Sequence, residues 1–135
     1  MNLLSVLIFL PIAAALLILV LPSAFQQRFK YISLGVSLIQ FVLSVFIYTR
    51  FNNTAAGINR EEQFQLIEKL PWIRLDLGSI GKLEIDYFLG IDGLSMPFLM
   101  LSALVMFVAT LASWEIKTNL KAYFSLFLLL NTAVM

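Results

Sequence analysis

The sequence predicts an all-α, polytopic transmembrane helix bundle, and three observations lead to that fold class. Hydrophobic residues make up 61% of the 135 residues and charged residues only 13%, which is too apolar for a soluble domain of this length. Three long apolar runs contain no charged side chain. Aromatic residues stand near the ends of these runs, as they do at a membrane–water interface. We therefore expect residues 1–135 to form a single membrane domain.

The first apolar run extends from about residue 3 to 21, which at the helical rise covers roughly 28 Å and is enough to cross a bilayer. It is not preceded by the basic segment of a secretory signal peptide, which favours a retained span. The second run covers about 31–48 and the third about 93–114. A fourth helix is predicted from about residue 122. It is too short to cross a bilayer when the sequence reaches Met135, so we expect a truncated chain.

Two short connections contain the basic residues that set the expected orientation. Arg28 and Lys30 precede the second run, and Lys117 and Lys121 separate the third from the fourth. Basic connections stay cytoplasmic, which predicts that the N-terminus lies outside a bacterial inner membrane or an equivalent energy-transducing membrane. The outer loop, 49–92, carries basic residues of its own, and these oppose the assignment.

The outer loop is too long for a simple turn and is expected to be part-structured. Alternating apolar residues predict two short strands, at 63–68 and 83–87, and Gly78 and Gly81 are available for the turn between them. A β-hairpin on the surface of the bundle is therefore predicted. The segment 52–60 is expected to be a flexible tip.

Composition excludes several kinds of site. The chain has no Cys and no His, so it offers no thiolate for an iron–sulfur cluster and no imidazole for haem or zinc. Nine basic and eight acidic residues, without a dense basic cluster, argue against nucleic acid as a partner. We predict no catalytic, cofactor-binding or metal-binding residue in this chain.

The most informative segment is the start of the third run, with Gly90, Asp92, Gly93, Ser95 and Pro97. Asp92 or Ser95 can cap the first helical turn, and Pro97 fits in that turn because its missing N–H costs least there. The two glycines allow a sharp turn or close packing. A structural capping motif is the favoured interpretation, and a proton-carrying role for Asp92 is the alternative.

The three complete runs contain no ionisable residue at mid-membrane depth, although a proton relay through lipid requires such residues. Their polar residues are mostly Ser and Thr, which commonly hold membrane helices together. Gln40 is interpreted as a packing residue, with a place in a hydrated cavity as the alternative. Pro11 is expected to bend the first helix and to free a carbonyl for a neighbour or a water.

Two motifs carry a resemblance to a known family. The segments Glu68–Ile73 (EKLPWI) and Phe88–Ser95 (FLGIDGLS) are similar to the outer loop and third-helix start of the M subunit (chain 4) of proton-pumping NADH-quinone oxidoreductase, respiratory complex I. The span layout also fits, and the resemblance covers essentially the whole chain as an N-terminal fragment. One departure is Asn131, where many relatives have an acidic residue.

The resemblance implies an antiporter-like, non-redox subunit of an oxidoreductase, whose full-length relatives have about fourteen helices in two inverted repeats. Such subunits contribute to proton translocation coupled to quinone reduction, through buried Glu and Lys on the fifth and later helices. NADH, FMN, iron–sulfur clusters and quinone are implied in partner subunits, and the expected partners are other membrane-arm subunits and the lipid bilayer. The alternatives are a subunit of a multi-subunit Na⁺/H⁺ antiporter or membrane-bound hydrogenase, and a small structural or assembly membrane protein.

Overall fold

The computed structural model describes residues 3–22, 25–52, 64–76 and 82–135. The described chain folds into helices at both ends and a β-hairpin between them. In chain order the elements are α1 (Leu3–Val20), α2 (Gln26–Arg50), β1 (Gln65–Asp76), β2 (Lys82–Ile91), α3 (Ser95–Ala112), a short 3₁₀ turn (Ser113–Glu115) and α4 (Leu120–Val134).

Helices α1, α2 and α3 are each long and apolar enough to cross a membrane. This confirms the predicted polytopic helical fold class. Helix α2 begins five residues before the predicted start and ends two residues after the predicted end. The predicted bounds lie where charged residues interrupt the apolar run. The helix continues through these residues, because Lys and Arg can extend their charged ends to the interface. Helix α4, at 15 residues, is shorter than the other three.

Helix α2 lies at the centre of the bundle, in contact with α1, α3 and α4, and α1 also packs on α4. Two apolar clusters fill the interior. One lies near the α1–α2 connection, between the end of α1 and the starts of α2 and α4. Its largest buried side chains are Phe29 and Phe124. The other lies beside the hairpin and includes Leu7, Ile47 and Met96.

Large apolar side chains cover the outer surface of the helices. On α1 these include Phe9 and Leu16, and on α3 they include Phe98, Leu104 and Val108, all more than two-fifths exposed. A helix that is apolar on its inner and outer sides is stable where lipid or further protein surrounds it. The surface of the bundle is therefore consistent with a membrane environment.

Strands β1 and β2 pair antiparallel, which confirms the predicted hairpin, although both strands are longer than the predicted segments. Irregularities interrupt the register at two places on β1, between Gln65 and Glu68 and between Pro71 and Ile73. The predicted turn glycines, Gly78 and Gly81, and nearly all of the predicted flexible tip lie outside the described residues.

Candidate functional site

The N-terminus of α1 is capped by an acid from the hairpin. The carboxylate of Glu68 accepts hydrogen bonds from the backbone N–H groups of Leu4 at 2.9 Å and Ser5 at 3.0 Å, and from the Ser5 hydroxyl. These backbone groups belong to the first turn of α1, where no helical acceptor exists. A carboxylate at this end also meets the positive end of the helix dipole. Glu68 therefore fixes the hairpin to the start of the first span.

A bulge in β1 accompanies this contact. Leu66 adopts a left-handed backbone with φ of 54°, inside the irregularity between Gln65 and Glu68. Bulges of this kind bend a strand and redirect its side chains. A leucine in this conformation is strained, and such strain persists only where surrounding contacts maintain it. The contacts here are the buried Glu68 carboxylate and the packing of Leu66 against the apolar cluster beside the hairpin.

The rest of the first motif has structural roles in the hairpin. Lys69 forms a salt bridge with Asp86 at 3.0 Å, on a partly exposed surface where such a pair contributes little. Pro71 lies at the second irregularity, where a strand tolerates its missing N–H, and the neighbouring Trp72 is 72% exposed. The Tyr87 ring on β2 lies beside Phe9 of α1, with the ring centroids 6.4 Å apart.

The second motif forms the start of α3. Asp92 is 5% exposed, and its carboxylate accepts a hydrogen bond from the backbone N–H of Ser95 at 2.7 Å. The backbone carbonyl of Asp92 accepts from Met96 N–H at 3.2 Å. Pro97 is the third residue of the helix, within the first turn, and Gly93 lies in the turn that precedes the helix. Asp92 thus occupies the position of a capping acid.

Gly90 lies in β2, against the side chain of Phe64. A Cβ at Gly90 would come within 3.2 Å of the Phe64 Cβ, which is closer than ordinary van der Waals contact. The glycine therefore permits the close approach of the segment before β1 to β2. Of the five predicted motif residues, Asp92 and Ser95 contact each other, whereas Gly90 serves the packing of the hairpin.

A buried pair of side-chain amides joins three helices. The Gln40 Nε2 group on α2 donates to the Leu7 carbonyl on α1 at 3.0 Å, and the Asn131 Nδ2 group on α4 donates to Gln40 Oε1 at 2.6 Å. Gln40 is 1% exposed and Asn131 is fully buried. The Leu7 carbonyl is available because its usual donor, four residues along the helix, is Pro11. The sequence predicted that Pro11 frees a carbonyl for a neighbour, and Gln40 is that neighbour.

The same side of α2 presents further buried polar residues: Ser33, Ser37, Gln40 and Ser44. The hydroxyls of Ser37 and Ser44 donate to carbonyls of their own helix. Among the described residues, Ser33 Oγ and Asn131 Oδ1 are buried without a hydrogen-bond partner. Within this row, Gln40 makes the hydrogen bonds to other helices. Hydroxyls and amides do not titrate near neutral pH, so these residues can bind other polar groups or water but do not carry charge.

Sequence reasoning missed two of these residues. Glu68 belongs to a predicted strand and to the first motif, but no local pattern predicts its contact with α1, because its partners lie more than 60 positions earlier in the chain. Asn131 was noted only as a departure from relatives, and its partner Gln40 lies 91 positions away. The available signal was chemical, since a carboxylate or an amide in a strongly apolar chain needs a hydrogen-bond partner when it is buried.

Comparison with known proteins places these features in a family context. Residues 74–135 match the family described as NADH-ubiquinone oxidoreductase chain 4, amino terminus. The matched residues include β2, α3 and α4. The chain is 32% identical over 130 residues to NAD(P)H-quinone oxidoreductase chain 4 2 of Thermosynechococcus vestitus, covering 96% of this chain and 22% of that protein. It is 35% identical over 127 residues to chain 4 1 of Synechococcus elongatus, covering 93% of this chain and 21% of that protein.

A chloroplastic relative, NAD(P)H-quinone oxidoreductase chain 4 of Chara vulgaris, is 35% identical over 130 residues, covering 94% of this chain and 23% of that protein. The chain therefore spans about a fifth of the length of the curated relatives it matches. Over nearly its whole length, this chain resembles the amino-terminal part of chain 4 of the NAD(P)H-quinone oxidoreductases.

Proposed function

We propose that this chain is the amino-terminal part of an antiporter-like, membrane-arm subunit of proton-pumping NADH-quinone oxidoreductase, and that the subunit contributes to proton translocation coupled to quinone reduction. The observation that carries the proposal is the match to chain 4 proteins over 96% of this chain. The matched family region includes the segment from β2 into α3, where Asp92 caps the third helix.

The residues of this chain are proposed to hold the first helices of the subunit in position. Glu68 and Asp92 attach the hairpin and the turn after it to the first turns of α1 and α3. Gln40 joins α1, α2 and α4 through groups that do not titrate. These contacts hold the helices in place for proton-carrying residues elsewhere in the subunit.

The redox chemistry is proposed to belong to partner subunits. A sequence without Cys or His has neither the thiolates that hold iron–sulfur clusters nor the imidazoles that hold haem. The resemblance to chain 4 proteins, which implies a non-redox subunit, supports the binding of NADH, FMN, iron–sulfur clusters and quinone to other chains of the complex. The chain is proposed to take part in this enzyme as part of a non-redox subunit.

The hairpin is proposed to contact another subunit of the membrane arm. A two-stranded hairpin alone is marginally stable, and this one exposes large apolar side chains, which favours further protein against it. The exposed apolar residues are Ile67, Leu70, Trp72, Leu75, Leu83, Ile85 and Phe88.

A multi-pass location is proposed, in a bacterial inner membrane or an equivalent energy-transducing membrane, with the N-terminus outside. The contact between Glu68 and Leu4 puts the hairpin and the start of α1 at the same end of the bundle. Lys30 contacts the carbonyl of Trp114, at the opposite end of the helices. Basic residues at that end support a cytoplasmic location for it.

A native gel of mildly solubilised membranes tests the proposal. The gel is stained for NADH and NADPH dehydrogenase activity, and peptides of this chain are mapped across the lanes. We expect the peptides in the large active band. Peptides only in a smaller assembly without this activity would support a cation antiporter or hydrogenase subunit, and peptides only in a free small protein would support an assembly role. Either result would overturn the proposal.

A further inference from the structure

A cavity of about 700 Å³ lies at the end of the bundle opposite the hairpin. It is formed where the first turns of α2 meet the segment that follows α3. Its lining residues are Gln27, Lys30, Trp114, Glu115 and Lys117. Four of these five side chains can donate hydrogen bonds, and only Glu115 brings a negative charge.

Lys30 brings a buried positive charge to this cavity, since the residue is only 8% exposed. Its ammonium group donates to the backbone carbonyl of Trp114 at 2.6 Å. It forms no salt bridge with a carboxylate among the described residues, and Lys117 forms none either. An ammonium has three donors, so two remain for another acceptor. A buried charge usually has a counter-ion. The carboxylate of Glu115 lines the same cavity, but it forms no salt bridge with Lys30, so it leaves room for an anion beside the two lysines.

The start of α2 adds a smaller positive contribution. Lys30 lies near the N-terminal end of α2, where the aligned peptide dipoles produce a partial positive charge. The first turn of α2 contains no acidic residue. The end of α3 lies on the other side of the cavity, where the carbonyl of Trp114 accepts from Lys30. An anion in the cavity would therefore be stabilised mainly by the lysine charges, and by the free N–H groups at the start of α2 to a smaller extent.

The aromatic residues beside the cavity favour a level near the membrane surface. The rings of Tyr31 and Trp114 pack edge to face, with their centroids 5.1 Å apart. Tyr and Trp concentrate at the level of the lipid head groups, where one side of the ring is apolar and the other is hydrated. Lipid phosphates lie at this level of a membrane.

We propose that this cavity is a binding site for the phosphate of an anionic phospholipid head group. Lys30 and Lys117 provide the positive charge, and Gln27 and the indole N–H of Trp114 provide further donors to the phosphate oxygens. The acyl chains lie along the apolar outer surface of the helices. The site is a lipid site of this chain and does not depend on the proposed role in proton translocation.

Tryptophan quenching by brominated lipids tests the site. The chain has two tryptophans, so Trp72→Phe leaves Trp114 as the single reporter. The full chain carrying this substitution is placed in nanodiscs of phosphatidylcholine with equal fractions of acyl-brominated phosphatidylglycerol or acyl-brominated phosphatidylcholine. We expect stronger quenching of Trp114 by the anionic lipid. Equal quenching by the two lipids would overturn the proposal.

Two substitutions and a matched control localise the effect. Lys117→Gln, at an exposed position on the cavity, and Lys30→Gln should each lower the preference for phosphatidylglycerol about tenfold, as expected for loss of a direct hydrogen bond between charged groups. Lys121→Gln removes a charge at the same end of the bundle but outside the cavity, and should leave the preference unchanged. Equal losses in all three variants would show general surface attraction and reject a built site. If Lys30→Gln does not fold, the comparison of Lys117→Gln with Lys121→Gln decides between a built site and general surface attraction.

Free inorganic phosphate could bind the same lysines as a lipid phosphate. Adding inorganic phosphate at constant ionic strength should not reduce the quenching by brominated phosphatidylglycerol. Complete displacement of the lipid by inorganic phosphate would identify a site for a free anion, and would overturn the assignment to lipid.

Discussion

The side-chain amide of Gln40 donates a hydrogen bond to the carbonyl of Leu7, the carbonyl that Pro11 leaves without a helical donor. We expect Gln40→Leu to leave this carbonyl and the Asn131 amide unpaired in an apolar interior. The free energy of unfolding should fall by roughly 0.6 to 2 kcal/mol, the range of interhelical hydrogen bonds in membranes. Denaturation by sodium dodecyl sulfate in mixed micelles, followed by helix content, measures the change.

A second substitution isolates the proline. Pro11→Ala restores a backbone N–H four residues after Leu7, so the carbonyl regains a helical donor. The cost of Gln40→Leu should then be smaller in the Pro11→Ala background than in the original sequence. An unchanged cost would mean that the Leu7 carbonyl does not account for the stabilisation by Gln40.

The contact of Glu68 with α1 gives a residue-specific prediction. Glu68→Ala removes the acceptor for the N–H groups of Leu4 and Ser5, and loss of such a cap costs about 0.5 to 2 kcal/mol. Hydrogen exchange at these two amides should become faster. Glu84→Ala, at an exposed position on β2, is the matched control and should leave both amides protected. Slow exchange in Glu68→Ala would show that the helix start is stabilised by other groups.

The spans could be predicted from the sequence because lipid imposes a simple condition, a long run without charge in which the helix satisfies its own backbone. The presence of a hairpin could be predicted, but the lengths of its strands could not. Strand pairing depends on the opposite strand, and Trp72 and the bulge at Leu66 break the alternation by which strand ends are recognised.

The contacts between distant residues could not be predicted from local pattern. Asp92 and Ser95 are three residues apart, and their contact follows a known capping arrangement. Glu68 caps a helix that begins some 60 residues earlier, so its role depends on how the hairpin folds back on α1. The cavity around Lys30 likewise forms only when α2 meets the end of α3.

Substitution of Asp92 separates capping from proton carriage. Asp92→Asn keeps an oxygen that can accept from Ser95 N–H but cannot ionise. If capping is its role, proton translocation by membrane vesicles, measured per quinone reduced, should stay near the original level. Asp92→Ala should lower stability by about 1 kcal/mol. Loss of translocation in Asp92→Asn, in a complex that still assembles, would instead identify Asp92 as a proton carrier.

Leu104 tests the position of the third span. It lies in the middle of α3 and is 43% exposed, so an aspartate there would face lipid or a partner subunit. A charge at mid-membrane costs about 2.5 to 3.5 kcal/mol, and Leu104→Asp should reduce the membrane-inserted fraction in an insertion assay. Leu75 in the hairpin is similarly exposed, at 50%, and lies outside the spans. Leu75→Asp should insert normally, because the hairpin does not have to enter the hydrocarbon core. Equal insertion of the two variants would place α3 outside the hydrocarbon core.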